Sequence, residues 1–178
     1  MPKDSEQPDV QRTGRAMMIL AWVGGMVLLT LLFQDVLESQ FNPNMQPQVQ
    51  LAADGAREVV LERNALGHYV ATGAINGRPA TFLLDTGATD VAIPEALASR
   101  LGLERHGGGI SQTANGPVAV WHTRLDEVRL GAISLRDVRA VILPSMQAKD
   151  PVLLGMSFLK RVEFTQRDGQ LSLRPPAG

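Results

Sequence analysis

Residues 82–89, Phe-Leu-Leu-Asp-Thr-Gly-Ala-Thr, are the most informative part of this sequence for its fold. The three apolar residues predict the end of a buried strand, and the Thr and Gly after Asp85 predict a turn. A carboxylate at the end of a buried strand costs free energy unless it is hydrogen-bonded or takes part in chemistry. The stretch therefore predicts either a tight structural turn or a catalytic aspartate at Asp85.

A second motif favours the catalytic interpretation. Residues 151–159 form a short apolar run that contains Leu153 and Leu154 and is interrupted by Gly155, about 70 residues after Asp85. The two motifs, in this order and at this spacing, resemble the bacterial, membrane-anchored, retropepsin-like branch of the aspartic protease clan.

The resemblance covers residues 58–173 and implies an all-β fold. The expected architecture is a single-lobe, retropepsin-like acid-protease barrel with one or two short helices, occupying residues 57–175. In that family a hydrophobic-hydrophobic-Gly segment passes beside the catalytic loop. Leu153, Leu154 and Gly155 are therefore expected beside the catalytic aspartate.

Turn and helix signals lie around these motifs. Asn76-Gly77 predicts a hairpin whose second strand leads into Asp85. Residues 94–101 predict a short helix, with a proline at its start and Gly102 at its end. Asp168-Gly169 predicts the turn between two closing strands.

The same resemblance implies separate roles for the residues that follow the catalytic aspartate. The Thr86 hydroxyl would bond across a dimer axis, Gly87 would let backbone amides approach the carboxylate, and Ala88 would keep the floor of the site small. Retroviral members have Asp where Thr89 stands here, and in this sequence Asp90 follows instead. This departure concerns substrate contacts and leaves the catalytic loop intact.

A second turn signal, at Asn115, Gly116 and Pro117, separates two β-rich runs. In the single-lobe proteases a hairpin at this place forms the flap, so Asn115 and Gly116 are candidate flap residues. Trp121 lies on the returning strand. It is either an aromatic residue that covers the substrate or a half-buried strand tryptophan, and the sequence leaves both open.

The number of Asp-Thr-Gly motifs predicts the assembly. Hydrolysis by this class needs two carboxylates that face one water and share one proton. The chain has one Asp-Thr-Gly, and Asp54-Gly55 and Asp168-Gly169 lack the middle Thr or Ser. We therefore expect a homodimer in which each chain contributes Asp85 at a two-fold axis.

Residues 16–33 form an 18-residue run without a charged side chain, close to the lower limit of about 17–25 residues that spans a bilayer. Arg12 and Arg15 precede this run, which by the positive-inside rule keeps residues 1–15 in the cytoplasm. We predict a single transmembrane anchor in a bacterial inner membrane, with the catalytic domain on the periplasmic side. A cleaved signal peptide is the alternative, but the run exceeds a usual signal core and no Ala-x-Ala-like site follows.

Residues 34–56 are rich in Gln, contain Pro43 and Pro47, and have no amphipathic pattern. We expect a flexible linker that holds the domain near the membrane. A flexible chain of about 23 residues has a root-mean-square reach of roughly 25 Å.

Composition excludes several classes of function. The chain has no cysteine, which excludes disulfides, thiol nucleophiles and thiolate metal sites. Its formal net charge of -1 gives no indication of nucleic-acid binding. His68, His106 and His122 have no metal-ligand spacing, so we expect neither a metal nor another cofactor.

The predicted function is therefore that of a membrane-anchored aspartic endopeptidase acting on an extended peptide or protein segment. Two alternatives remain at this stage. One is a non-catalytic, membrane-tethered dimeric module of the same fold that binds peptides. The other is a self-processing protease whose main substrate is its own linker.

Overall fold

The structure is a computed structural model that describes residues 10–52, 55–113 and 116–175. It has two compact units, one ending at Glu38 and one beginning at Ser39. Helix α1 spans Val10–Phe41. Its portion Thr13–Phe41 is long and apolar enough to cross a membrane, with a mean hydropathy of 2.3.

The segment expected to be a flexible linker is partly folded. Helix α1 continues to Phe41, beyond the predicted end of the apolar run at residue 33. Asn42 and Asn44 are buried, and the backbone N–H of Thr72 donates to the Asn44 carbonyl at 3.0 Å. Within the predicted linker, residues 41–44 therefore contact the domain, because their polar groups find partners there.

The Asn44 side chain joins two strands of that domain. Its Nδ2 donates to the carbonyl oxygens of Glu62 at 2.9 Å and Val70 at 2.7 Å, and its Oδ1 accepts from the Glu62 N–H at 2.7 Å. Asn64 Nδ2 donates to the Phe41 carbonyl at 3.0 Å. Segment 41–44 is thus part of the folded domain.

Within the described residues the domain contains eleven strands and two short helices beyond α1. The strands are β1 Gln48–Leu51, β2 Arg57–Glu62, β3 Val70–Ile75, β4 Arg78–Leu84, β5 Val91–Pro94, β6 His106–Thr113, β7 Gly116–Leu130, β8 Ile133–Leu143, β9 Val152–Leu154, β10 Glu163–Arg167 and β11 Gln170–Arg174. The helices are α2 Glu95–Leu101 and α3 Met156–Leu159.

The larger sheet is a nearly closed ring. Its strand order is β3-β4-β9-β5-β8-β7-β6, and β3 also pairs with β7. Gly73 permits this closure, because a Cβ there would lie 2.3 Å from the Arg129 carbonyl oxygen and 2.6 Å from the Phe82 ring. Six strands therefore form a barrel, and β6 extends from it as the partner of β7.

The smaller sheet has the order β1-β2-β11-β10. Side chains from both sheets form one main apolar core, whose largest fully buried members include Phe82, Phe158, Leu61, Ile93, Leu125 and Leu173. Burial of such side chains is the main stabilising term, at about 1.5–3 kcal/mol each.

The turn and helix signals read from the sequence are confirmed. Asn76 and Gly77 join β3 to β4 with positive φ values of 49° and 76°. Pro94 precedes α2, and Gly102 ends it in the left-handed conformation. Asp168 and Gly169 connect β10 to β11, also with positive φ.

Candidate active site

The loop after β4 holds Asp85 by its backbone and by its side chain. The Asp85 N–H donates to the Leu154 carbonyl at 3.2 Å, and the Gly87 N–H donates to Asp85 Oδ1 at 2.8 Å. The Ala88 N–H donates to the Asp85 carbonyl at 3.3 Å and closes the turn. A Cβ at residue 87 would lie 3.1 Å from Asp85 Oδ1, which is a tight contact. Glycine avoids this contact and lets the backbone amide of residue 87 come close to the carboxylate.

The second motif lies beside this loop. Leu84 pairs with Leu154 in the parallel β4–β9 ladder. At Gly155 a Cβ would lie 2.3 Å from the Asp90 carbonyl oxygen and 2.7 Å from that of Ala88, so only glycine fits there. The Met156 N–H then donates to the Ala88 carbonyl at 2.8 Å.

Ser157, two residues after Gly155, binds the strands β5 and β8 through its hydroxyl. Its Oγ donates to the Arg139 carbonyl at 2.7 Å and accepts from the Val91 N–H at 3.0 Å. The side chain is buried, and its hydroxyl is engaged with backbone groups of β5 and β8. Ser157 therefore has a structural role. Its buried hydroxyl, bonded to two backbone groups, is not placed to act as a nucleophile.

A cleft of about 430 Å³ opens beside the Asp85 loop. The loop and strand β5 contribute one wall, through Asp85, Gly87, Ala88, Thr89, Asp90 and Ala92. The remaining lining comes from the end of β6 and from β8 and β9, through Ser111, Gln112, Thr113, Val141, Leu143 and Leu153. Asp85 is partly exposed and Thr86 is exposed at this surface.

The β6–β7 hairpin lines the cleft with residues 111–113. Thr113 pairs with Gly116, and the Thr113 hydroxyl donates to the Gly116 carbonyl at 2.8 Å. Gly116 has a φ of 101°, which favours glycine. Asn115 lies outside the described residues.

Trp121 lies further down the hairpin. It is 39% exposed, packs against Gly108, and has the Arg105 guanidinium 5.9 Å from its ring centroid. Among the described residues, Ser111, Gln112 and Thr113 of β6 line the cleft, and Trp121 does not. In the single chain its surroundings are those of a half-buried strand tryptophan.

The sequence reasoning did not name the hairpin residues that line the cleft or assign Asp90 a role. A polar residue such as Ser111 on an amphipathic strand gives no local indication of which face meets a cleft. Asp90 could have been found, because a charged side chain directly before the buried strand β5 requires an explanation. Within the described residues no group of three His, Cys, Asp or Glu side chains could hold a metal ion.

The comparisons with known proteins agree with this geometry. The family model for the gag-polyprotein putative aspartyl protease matches residues 71–161, about half of the chain. This chain belongs to the retropepsin-like aspartic protease family. The match includes the Asp85 loop, the hairpin and the Gly155 motif.

Two relatives of this chain are bacterial proteins. An uncharacterized protein of a Sinorhizobium species is 33% identical over 68% of this chain and 54% of its own length. An uncharacterized protein of Rickettsia prowazekii is 27% identical over 64% of this chain and 49% of its own length. The chain thus spans about half the length of the curated relatives it matches.

A solved structure shares the fold. The crystal structure of a retropepsin-like aspartic protease from Rickettsia conorii superposes with a TM-score of 0.54 at 23% identity, over 73% of this chain and 95% of that one. The predicted single-lobe, mostly β fold with few short helices is therefore confirmed.

Proposed function

We propose that the protein is a membrane-anchored aspartic endopeptidase, active as a homodimer. The observation that carries the proposal is that one Asp-Thr-Gly loop per chain stands in an open cleft. The mechanism needs a second carboxylate, and a two-fold axis beside the exposed Thr86 would supply the partner's loop.

The two carboxylates would divide the chemistry between them. Held a few ångströms apart, they share one proton, because both cannot ionise at once. The ionised member takes a proton from the attacking water, and the protonated member donates to the carbonyl oxygen of the scissile bond. The Gly87 N–H, bonded to Asp85 Oδ1, fixes the orientation of the carboxylate during this exchange.

The substrate in this proposal is an extended peptide segment. It would lie between the catalytic loop and residues 111–113 of the hairpin, which face each other across the cleft. Closure of the hairpin would exclude water from the reacting bond.

Helix α1 supplies the proposed anchor. Its apolar length matches a bilayer, and Arg12 and Arg15 favour a cytoplasmic N-terminus. The domain would then face the periplasm. A reporter that is active only in the periplasm, fused after Gly178, should be active in a membrane fraction; bulk release of a shortened soluble form would contradict the anchor.

Asp85→Asn tests the enzymatic proposal. Asn keeps the oxygen that accepts from Gly87, so folding should be retained within about 1 kcal/mol, while cleavage of a peptide library should be abolished. Asp168→Asn is the matched control, because Asp168 is also an aspartate in a glycine-containing turn but lies between β10 and β11. Unchanged cleavage by Asp85→Asn would overturn the proposal, and a protein that binds peptides without cleaving them would favour the non-catalytic module.

A further inference from the structure

A second pocket, of about 280 Å³, lies near the start of the folded domain. Its lining includes Phe41, the cross-strand pair Thr72 and Thr81, and the cations Arg100 and Lys149. We infer that this pocket binds the phosphate of an anionic phospholipid and thereby docks the domain on the bilayer that holds its anchor. The inference rests on the anchor in the proposed function and adds an orientation of the domain on the membrane surface.

The pocket contains hydrogen-bond donors that the described chain leaves unused. Thr72 Oγ1 accepts from Asn42 Nδ2 at 2.9 Å, so its own hydroxyl hydrogen is available to a ligand oxygen. Within the described residues, the Thr81 hydroxyl and the side chains of Arg100 and Lys149 have neither a hydrogen bond nor an ion pair. Two hydroxyl donors beside two cations are complementary to the oxygens of a phosphodiester.

The charges of the lining favour an anion. Arg100 and Lys149 are opposed by one carboxylate, that of Asp150. Asp150 Oδ2 already accepts from the Gln147 N–H at 2.8 Å, so the backbone of its own loop stabilises part of its negative charge. The pocket therefore keeps an excess of positive charge, which attracts an anionic headgroup and repels a cationic one.

The place of the pocket along the chain selects the membrane as the source of the phosphate. Phe41 lines the pocket and follows the end of the apolar run, at residue 33, by eight residues. Eight helical residues extend about 12 Å, and the headgroup layer is itself about 5–8 Å thick. Such a short connection gives the pocket a high effective concentration of lipid phosphate, which a free anion does not have.

Apolar side chains beside the pocket fit the same surface. Phe41 is 44% exposed and Leu66 is 72% exposed. Asn64 holds their backbones near each other, because its Nδ2 donates to the Phe41 carbonyl at 3.0 Å and its Oδ1 accepts from the Leu66 N–H at 3.0 Å. Exposed apolar residues next to cations are typical of protein surfaces that lie at the boundary between headgroups and acyl chains.

A single fluorescent label tests the docking, because the chain has no cysteine of its own. Gln147→Cys, in the loop beside the pocket, is labelled with an environment-sensitive dye in the full-length protein, which is then reconstituted in nanodiscs. In discs of phosphatidylcholine and phosphatidylglycerol in equal amounts, we expect lipids that are spin-labelled at the headgroup to quench this dye. Gln166→Cys, in the exposed strand β10, is the control position and should not be quenched.

Removal of the two cations should release the domain from the surface. Arg100→Gln combined with Lys149→Gln should lower the ratio of docked to undocked label by about fivefold for each charge, and added salt should lower it in the unmodified protein. Lys160→Gln combined with Arg167→Gln is the matched control, because it removes the same charge from exposed positions outside the pocket. It should leave the ratio unchanged.

Failure of the anchor and failure of the docking give different results. Retention in vesicles of phosphatidylcholine alone, after an alkaline wash, reports the anchor. Retention without quenching at Gln147→Cys, equal quenching at Gln166→Cys, or quenching that survives loss of both cations would overturn the docking and leave the anchor intact. Loss from these neutral vesicles, with binding to anionic ones that depends on Arg100 and Lys149, would overturn the anchor alone.

Inorganic phosphate separates lipid from a free anion as the ligand. Hydrogen exchange of the full-length protein is compared in phosphate and in chloride at equal ionic strength, and in the anionic discs. We expect backbone amides of residues 147–150 to be protected in the anionic discs and unaffected by phosphate. Protection by phosphate, without protection in the discs, would assign the pocket to a soluble anion and overturn the inference.

Discussion

Segment 41–44 and the loop at Asp85 both place polar side chains next to the barrel, but these side chains differ in how many of their hydrogen-bonding groups are paired. Asn44 is 4% exposed, and its side chain makes three hydrogen bonds to the backbones of β2 and β3. The Asp85 side chain makes one hydrogen bond within the described residues, to the Gly87 N–H, and its remaining surface faces the cleft.

This difference separates a structural polar group from a reactive one. A buried amide whose donor and acceptor are both paired stabilises the fold and has no capacity left for a substrate. A partly exposed carboxylate that retains acceptor capacity at a cleft can exchange protons with a bound water. Changes to the Asp85 side chain should therefore affect activity more than stability, and changes to the Asn44 side chain the reverse.

Gly155→Ala should have the largest effect, because the added methyl group would collide with the backbone of the Asp85 loop. The added Cβ would lie within 2.7 Å of the Ala88 and Asp90 carbonyl oxygens, so the loop has to move. We expect a loss of about 3 kcal/mol in the free energy of unfolding and a specific activity about 100-fold lower in the folded fraction. Urea unfolding and a peptide-cleavage assay measure the two effects.

Gly108→Ala is the control for this change. A Cβ at Gly108 would make an ordinary contact with the Trp121 ring at 3.5 Å, so the same substitution there should cost little. Equal effects of the two substitutions would contradict the role assigned to the close packing at Gly155.

Asn44→Ala should come next, and it should affect stability alone. Truncation leaves the Glu62 N–H and the carbonyl oxygens of Glu62 and Val70 without their partner. We expect the free energy of unfolding to fall by about 2 kcal/mol, with unchanged kcat in the folded fraction. Gln50→Ala, in the exposed strand β1, is the control and should change neither. A stability equal to that of the unmodified protein would mean that segment 41–44 is a linker after all.

Asp137→Asn should have the smallest effect and shows what an exposed polar pair contributes. The pKa of the Asp137 carboxyl is lowered from its ordinary 3.8, mainly by the hydrogen bond from Arg124. Desolvation opposes this shift as the next largest cause, and the charges of Arg124 and Arg161 add to the lowering. A lowered folded pKa stabilises the protein above the unfolded value of 3.8, and that contribution is lost as pH falls through the folded value.

Urea midpoints of the unmodified protein and Asp137→Asn should therefore differ slightly at pH 7 and converge at acidic pH. The difference is small because both side chains are exposed and solvated. A difference as large as that of Asn44→Ala, or one that does not depend on pH, would contradict this assignment.

The Asp85 loop was predictable because its signals are local. An apolar strand, an aspartate and a glycine turn are contiguous in residues 82–89, and Gly155 carries its own apolar run. Strand alternation and turn residues likewise predicted the hairpins and helix α2. These features depend on neighbours in sequence, and tertiary packing reinforces them.

The role of segment 41–44 was not predictable in the same way. Asn42 and Asn44 look like residues of a solvated linker, and their partners Glu62, Val70 and Thr72 lie far along the chain. The cleft wall at residues 111–113 has the same origin, because these residues share a cleft with the distant Asp85 loop only in the folded chain. Long-range pairing of this kind leaves no pattern in the local sequence.

The most direct measurement mixes the unmodified protein with Asp85→Asn in equal amounts under conditions of subunit exchange. Random pairing leaves about a quarter of the dimers with two intact loops, and heterodimers with one carboxylate should be inactive. Activity per unmodified chain should then fall by about half, whereas a mixture with Asp168→Asn should show no fall. Unchanged activity per unmodified chain in the Asp85→Asn mixture, with exchange verified by mass-tagged subunits, would contradict an active site shared between two chains.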